Sequence, residues 1–433
     1  MASTKRSAKK KSAAKAPAKE AGNGGGPANA REVVIRMYNV GFGDAFLVLL
    51  PVGNEQRRIL FDCGSIEAAQ GLPMAKIVDR IIADVTDPDG QARIDVVVAT
   101  HRHKDHVSGF GQAAWENVEV KEVWMPWTEH PTDPEARRIR DIQSNLALGL
   151  DKALTAKAAM VGAAEKAELR RYQDIVANAL MLSNEKAMKT LHNGFSGSPR
   201  RRFLPTATDG RLVDTDVLPG VKVHVLGPSR KRDVIRDMDP PKGESFLRMR
   251  SIVDSDSGQP PAPFSHEFRH TRYTGAGTLP EKDLIRIQEA GNLSELAVAV
   301  ALDKAVNGTS LMLILEIAGT FLLFPGDAQW GTWCEAMDDP EWRELLGRVS
   351  FYKVGHHGSH NATPKKFVQN ILPEGTCAMA STLTRPVWPD IPRSPLLEAL
   401  AQKKVHVARS DEPGKIAKIF KIDEGVIETR IPL

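Results

Sequence analysis

Three histidines and an aspartate fall within six positions of the stretch VVVATHRHKDHVSGF, at His101, His103, Asp105 and His106. Imidazole nitrogens and carboxylate oxygens are ligands for zinc or manganese at neutral pH. His101 and His103 are two residues apart on the loop after a strand, so both face one side. Asp105 and His106 follow as the chain turns. A solvated polar turn would explain these four residues taken alone. It does not explain two further ligand-type groups in the same context, each at the end of an apolar strand. FLLFPGDA delivers Asp327, and VSFYKVGHHGS delivers His356 and His357. A strand-end loop is where a rigid scaffold presents reactive groups.

The elements that must hold these groups are legible from the pattern. EVVIRMYNVGFGDAFLVLLP reads as two strands around a glycine turn, and RRILFDCGS as a strand ending at Asp62 and Gly64. GLPMAKIVDRIIADV has helical spacing, RIDVVVATHRH is a buried strand entering a loop, and VEVKEVWMPW is a further strand. Residues 131–193 are rich in Ala, Leu, Lys and Glu and predict two or three helices, inserted into the main body. VKVHVLGPS resumes the strands, and residues 230–277 are polar and loop-rich. The stretch from Leu293 to Ala328 is expected to hold strands, with a turn at Ala318–Gly319. The chain closes with a helix and a hairpin. Strands alternating with helices predict an α/β layered body over residues 32–433.

Charge is unevenly placed. Residues 1–31 carry eight Lys and Arg against Glu20 alone, a net +7, while the whole chain is +4, so the remainder is −3. The basic balance therefore belongs to the tail. That tail lacks aromatics and is expected to be disordered, either solubilising the chain or tethering a polyanion such as nucleic acid. It has no apolar core of a secretory signal. SLMLILEIAGTFLLF is interrupted by Glu316, so no membrane insertion is expected. Cys63, Cys334 and Cys377 are widely spaced and fit a reducing cytoplasm rather than a disulfide framework. Nothing in the sequence sets the oligomeric state.

Taken in order, THRHKDHVSG, FPGDA and HHGS resemble the metal motifs of the metallo-β-lactamase fold. The closer resemblance is to the soluble metallo-β-lactamase domain of ComEC-type competence proteins. VGFGDA (Val40–Ala45) resembles that branch's opening, Asn307 to Ser310 its Asn-x-x-Ser strand start, and Lys353 to Ser359 its Lys-x-x-His-His-Gly-Ser. The likeness covers about residues 32–125 and 220–433. It implies a four-layer αββα sandwich holding two divalent metal ions, zinc or manganese, in a cleft at the sheet edges.

The resemblance puts His101, His103 and a bridging Asp327 on metal 1, and Asp105, His106, Asp327 and His356 on metal 2. His356 is preferred over His357 because it comes first after the strand, leaving His357 to face the substrate. A third histidine for metal 1 is wanting. His224 lies in a strand, and His266 and His270 lie in a polar loop, so metal 1 is expected to be weakly occupied. Asp62 is expected to brace the HxHxDH loop through hydrogen bonds, with Asp44 and Asn39 in similar work. Lys353 and Ser359 are expected to meet an anionic substrate, with His360 and Asn361 at the mouth. Two metals sharing a water lower its pKa towards ~7. Asp105 would orient the nucleophile and His357 protonate the leaving group. The resemblance thus implies a phosphodiesterase or nuclease acting on DNA or RNA. The alternatives are a hydrolase of a small ester, lactone or thioester, and a metal-retaining binding protein without catalysis.

Overall fold

The computed structural model describes residues 32–160, 181–206, 210–241, 243–245, 295–385, 390–415 and 417–433. The basic tail, most of the loop-rich segment, His266 and His270 lie outside them.

The elements run β1 (Glu32–Tyr38), β2 (Phe46–Val52), β3 (Glu55–Phe61), α1 (Met74–Asp84), β4 (Arg93–Val98), the single turn α2 (Lys104–Val107), β5 (Glu119–Pro126), α3 (Pro134–Met160), α4 (Met181–Asn193), β6 (Arg200–Leu204), β7 (Leu212–Val213) and β8 (Val221–Gly227). They continue with α5 (Arg232–Arg236), α6 (Glu295–Asn307), β9 (Met312–Ile317), β10 (Thr320–Phe324), α7 (Trp330–Asp338), α8 (Pro340–Leu346), β11 (Val349–Lys353), β12 (Cys377–Ala380), α9 (Ser394–Gln402), β13 (His406–Arg409), β14 (Phe420–Asp423) and β15 (Val426–Pro432).

These strands form two mixed sheets, ordered β14-β15-β1-β2-β3-β4-β5-β6 and β13-β12-β11-β10-β9-β8-β7. Period-2 alternation decides what each face meets. Val33, Ile35 and Met37 of β1 share one core with Leu313 and Leu315 of β9 and Phe351 of β11, so the two sheets pack against each other. Val34 and Tyr38 point the other way, onto Ile77 and Ile81 of α1. Met312 and Ile314 of β9 likewise face Trp333 of α7, Trp342 of α8 and Leu396 of α9. Each fully buried side chain of this size contributes about 1.5–3 kcal/mol.

Strands β3 to β6 are parallel, and so are β10 to β13. Parallel strands bring their C-terminal ends to one edge, which gathers the loops after β3, β4, β10, β11 and β12. Phe61, the last residue of β3, stacks on Phe324, the last of β10, with centroids 4.0 Å apart and planes within 7°. That contact ties the two sheets together directly beneath the residues of interest.

Two expectations need correction. The run ELAVAVALDKAVN is helix α6, not strand. Its apolar residues come without period-2 alternation, and an Ala-rich run of that kind is ambiguous until a neighbour supplies a face. Here α3 does so, through Ala147 against Leu302. The closing segment contains the expected hairpin, β14–β15, but β13 before it pairs in parallel with β12 in the other sheet. Residues 134–160 and 181–193 are helical. Among the described residues no helix is long and apolar enough to cross a membrane.

Candidate metal centre

The HxHxDH loop is built on backbone contacts before any side chain acts. Gly64 lies against the backbone of α2: a Cβ there would meet the Asp105 carbonyl carbon and the His106 nitrogen at 2.6 Å. Only glycine lets the two segments close. The Asp44 N–H then donates to the Asp105 carbonyl at 2.9 Å, and the Cys63 N–H to the His106 carbonyl at 2.8 Å. Asp62, in the left-handed region at φ 55°, accepts from the Thr100 N–H and Oγ–H, each at 2.7 Å. Its Oδ2 also lies 2.8 Å from His106 Nδ1. A carboxylate on Nδ1 fixes the tautomer and turns His106 Nε2 outward, as in metal-ligating histidines.

Asp105, His106, Asp327 and His357 converge, with one ligand atom of each within 4.8 Å of all the others, and all four are buried. His106 Nε2 is 3.2 Å from Asp327 Oδ2, and His357 Nε2 is 3.1 Å from Asp105 Oδ2. His357 Nδ1 donates to the Ser381 carbonyl at 2.8 Å, which leaves its Nε2 lone pair for the cluster. His356 and His357 both adopt left-handed backbone, at φ 45° and 54°, conformations that histidine visits more readily than most residues. Each costs of order 1 kcal/mol or more, which the packing around the loop must offset.

His101 Nε2 and His103 Nδ1 face each other at 3.1 Å. Two imidazole nitrogens at that distance either share one proton or both turn lone pairs on a cation. The His101 ring also lies 4.1 Å from the His106 ring, so this pair adjoins the four-residue group. Asp44, Asp62 and His106 form a second group of ligand-type atoms on the inner side.

The electrostatics favour a cation. Asp44, Asp62, Asp105 and Asp327 are all buried here against one permanently charged buried cation, Lys353, so the carboxylates outnumber it unless imidazoles take up protons. Burial pushes the Asp105 carboxyl up, but His106 and His357 more than offset this and hold it below its ordinary range. Asp327 is held well below by His106, His356 and Lys353, again against burial. Burial pushes His106 down, yet Asp327, Asp62 and Asp105 raise it well above an ordinary imidazole. The field that would hold a proton there would equally hold a metal ion. Burial keeps His103 neutral, at about 4, and holds His101 well below an ordinary imidazole too. Ionised carboxylates and neutral imidazoles are the ligand forms. Asp105 Oδ1 is buried without a hydrogen-bond partner, a costly state that metal binding in the cluster would relieve. The donor set fits a divalent ion with nitrogen and oxygen preference. Cys63 takes no part: its thiol lies 4.0 Å from Met74 Sδ, and burial raises its pKa.

The geometry departs from the sequence reading at several residues. His357, not His356, completes the tight group. His356 lies to one side, its Nε2 3.8 Å from Asp327 Oδ2 and its side chain 17% exposed. Lys353 faces no solvent: it is 3% exposed, ion-paired with Asp44 and 3.6 Å from Asp327 Oδ1. It is an internal counter-ion rather than a contact for an anionic substrate. Ser359 is buried too, its N–H donating to the His356 carbonyl at 2.8 Å. Asp44 lies between Lys353, His106 and His357. Asn39 is turned away, accepting from the Gly41 N–H and donating to the Ser410 carbonyl. His224 pairs with Glu316 across two strands at 2.8 Å. Asn361 lies 3.3 Å from His356 Nδ1 and donates to Gln329, which in turn donates to the Asp327 carbonyl.

Sequence reasoning missed a buried brace. Arg102, between the first two histidines, makes a two-pronged bond to Glu129 at 2.8 and 2.6 Å. Asn184 of α4 donates to the Arg102 carbonyl at 2.8 Å. The helical segment therefore holds the histidine loop directly. Arg102 was visible as the odd residue of HRH, opposite its ligand-type neighbours, but Glu129 carried no local signal. Burial pushes Glu129 up, yet Arg102 and His192 hold it at about 2, against 4.5 unperturbed. A depressed carboxyl stabilises fully above the unfolded value and loses that contribution as pH falls through the folded one. We expect on the order of 3 kcal/mol to be lost between about pH 4.5 and 2. Urea unfolding of wild type and Glu129→Gln across that range would check it: the variant should have the shallower pH dependence, and parallel curves would refute it.

No protein-family model matches the sequence, and no curated protein matches it at a significant level.

Proposed function

We propose that this chain is a metal-dependent hydrolase of the metallo-β-lactamase fold, a four-layer αββα sandwich, acting on phosphodiesters with DNA or RNA as the favoured substrate. One observation carries the reading: Asp105, His106, Asp327 and His357, from loops after three different strands, converge in a buried, carboxylate-rich group. The two packed sheets with helices on their outer faces support the fold. The phosphodiester preference rests on the likeness of the motifs to the ComEC-type branch.

When bound there, a zinc or manganese ion supplies Lewis acidity and lowers the pKa of a coordinated water. The protein's own groups do the rest. Asp105, His106, Asp327 and His357 would hold one cation. His101 Nε2 and His103 Nδ1 would offer a second, weaker place. Asp62 and the Ser381 carbonyl fix the ring orientation of His106 and His357. Asp105 Oδ1 orients the attacking group. Burial lowers the pKa of His356, the partly exposed histidine beside Asp327, and so keeps it neutral; it would take a proton from the attacking group and pass it to the leaving group.

The test is turnover by purified protein on a chromogenic bis-phosphodiester, plasmid, single-stranded DNA and RNA, beside lactone and thioester panels, with Mn²⁺ or Zn²⁺. Diester cleavage that a chelator abolishes and added metal restores is expected. Turnover confined to a lactone or thioester would replace the phosphodiester assignment. Tight metal binding without turnover of any substrate would make this a binding protein.

A further inference from the structure

Three of the four clustered histidine rings have an evident partner on the nitrogen that faces away from the centre. His106 has Asp62, His357 has the Ser381 carbonyl, and His101 Nδ1 lies 3.2 Å from Thr100 Oγ. His103 is the exception. Its Nδ1 faces His101, while its Nε2 is buried and lacks a hydrogen-bond partner. On that side, among the described residues, lies Asp303, in the last turn-and-a-half of α6, with Oδ1 3.8 Å away. Asn307, one turn further on and fully buried, donates from Nδ2 to Asp303 Oδ2 at 3.2 Å, which aims the carboxylate at the ring. Helix α3 sets the position of α6: Gln143 donates to the Ala305 carbonyl at 3.2 Å, and Ala147 packs on Leu302.

We propose that Asp303 is the positioning carboxylate for His103, accepting its Nε2–H and so presenting the Nδ1 lone pair, with His101 Nε2, to a divalent cation. This rests on the proposed metal-dependent reading of the site. An imidazole whose Nδ1 binds a cation has a more acidic Nε2–H, which attracts a nearby carboxylate. A separation of 3.8 Å is within a small side-chain rotation of a hydrogen bond. The same contact gives Asn307 a purpose, as the residue that holds Asp303. It also gives the long helix α3 one, since α3 fixes the helix that carries both.

The test uses the full chain, stripped of metal with a chelator, as wild type, Asp303→Ala and Asp303→Asn. Calorimetric titration with Zn²⁺ or Mn²⁺ should resolve a tight and a weaker step in wild type. Asp303→Ala should weaken the weaker step about 10- to 100-fold, the usual cost of losing an outer partner of a ligating histidine. The tight step should stay within about twofold. Asp303→Asn retains an oxygen acceptor and should recover part of the loss, which a merely structural role does not explain. Unchanged affinities in Asp303→Ala would overturn the inference, as would equal losses in the alanine and asparagine variants. In parallel, ¹⁵N spectra of the histidine rings in the stripped protein read the tautomer. Asp303→Ala should shift His103 from Nε2–H towards Nδ1–H, and an unmoved tautomer would also overturn it. Wild type that takes up no metal would sink the proposed function instead, and the tautomer measurement would still decide the role of Asp303. Thermal unfolding of each variant guards against misfolding.

Discussion

Asp327→Asn is expected to lose nearly all of its divalent metal and all measurable turnover. Asp327 is one of the residues through which the two sheets meet at the site. It follows β10 in one sheet, and its Oδ2 meets His106 from the other at 3.2 Å. Its Oδ1 accepts from the His356 N–H at 3.1 Å and lies 3.6 Å from Lys353. Asparagine keeps the shape and an acceptor for that N–H, but removes the charge. A neutral amide is a poor ligand beside a carboxylate, and it leaves Lys353 with one fewer anion. The loss of metal affinity should exceed the roughly 10- to 100-fold seen when only an outer partner is removed. Breaking a buried charge network by removing one member costs about 3–5 kcal/mol, so the stripped variant should also unfold earlier. Metal analysis after dialysis, with a denaturant curve on the same sample, tests both. Full metal content in Asp327→Asn would remove it from the ligand set.

His357→Ala and His356→Ala are expected to separate metal binding from turnover. His357 has no exposed surface, its Nδ1 is committed to Ser381, and its Nε2 points at Asp105. Removing it would delete a proposed ligand and open a cavity beside Phe42, whose ring centroid is 4.4 Å from the imidazole. Metal content should collapse. His356 is partly exposed and lies 3.8 Å from Asp327. Its removal should leave metal in place and lower turnover by about 10²-fold or more, the range for a lost proton-transfer group. The order of the two residues after β11 suggested the opposite assignment. If His356→Ala empties the site while His357→Ala keeps its metal, the order along the chain was the better guide.

Much of the site was open to inspection in the linear sequence. His101, His103, Asp105 and His106 are neighbours, so their common purpose shows in six positions. Asp327 and the histidine pair announced themselves by context, each as a polar group ending an apolar strand. Asp62 was marked in the same way. These are local signals, set by alternation along a strand and by the turn that ends it. Helix α6 escaped because an apolar Ala-rich run has no face of its own until α3 packs on it.

What the sequence determined by itself was the inventory: which donors exist, that they are nitrogen and oxygen rather than sulfur, and that each stands at the end of a buried strand. Only the tertiary structure decided their partners. The choice of His357 depends on a left-handed backbone that swings the second ring towards Asp105 and the first to the rim. Lys353 became an internal counter-ion because β11 is covered on both faces, which leaves its ammonium no route to water and Asp44 as its nearest anion. Glu129 and Asp303 entered the site's surroundings through contacts that span 27 and 200 residues. Hydrogen bonds and Coulomb forces act through space over a few ångströms, so no pattern along the chain records them until the sheets have closed.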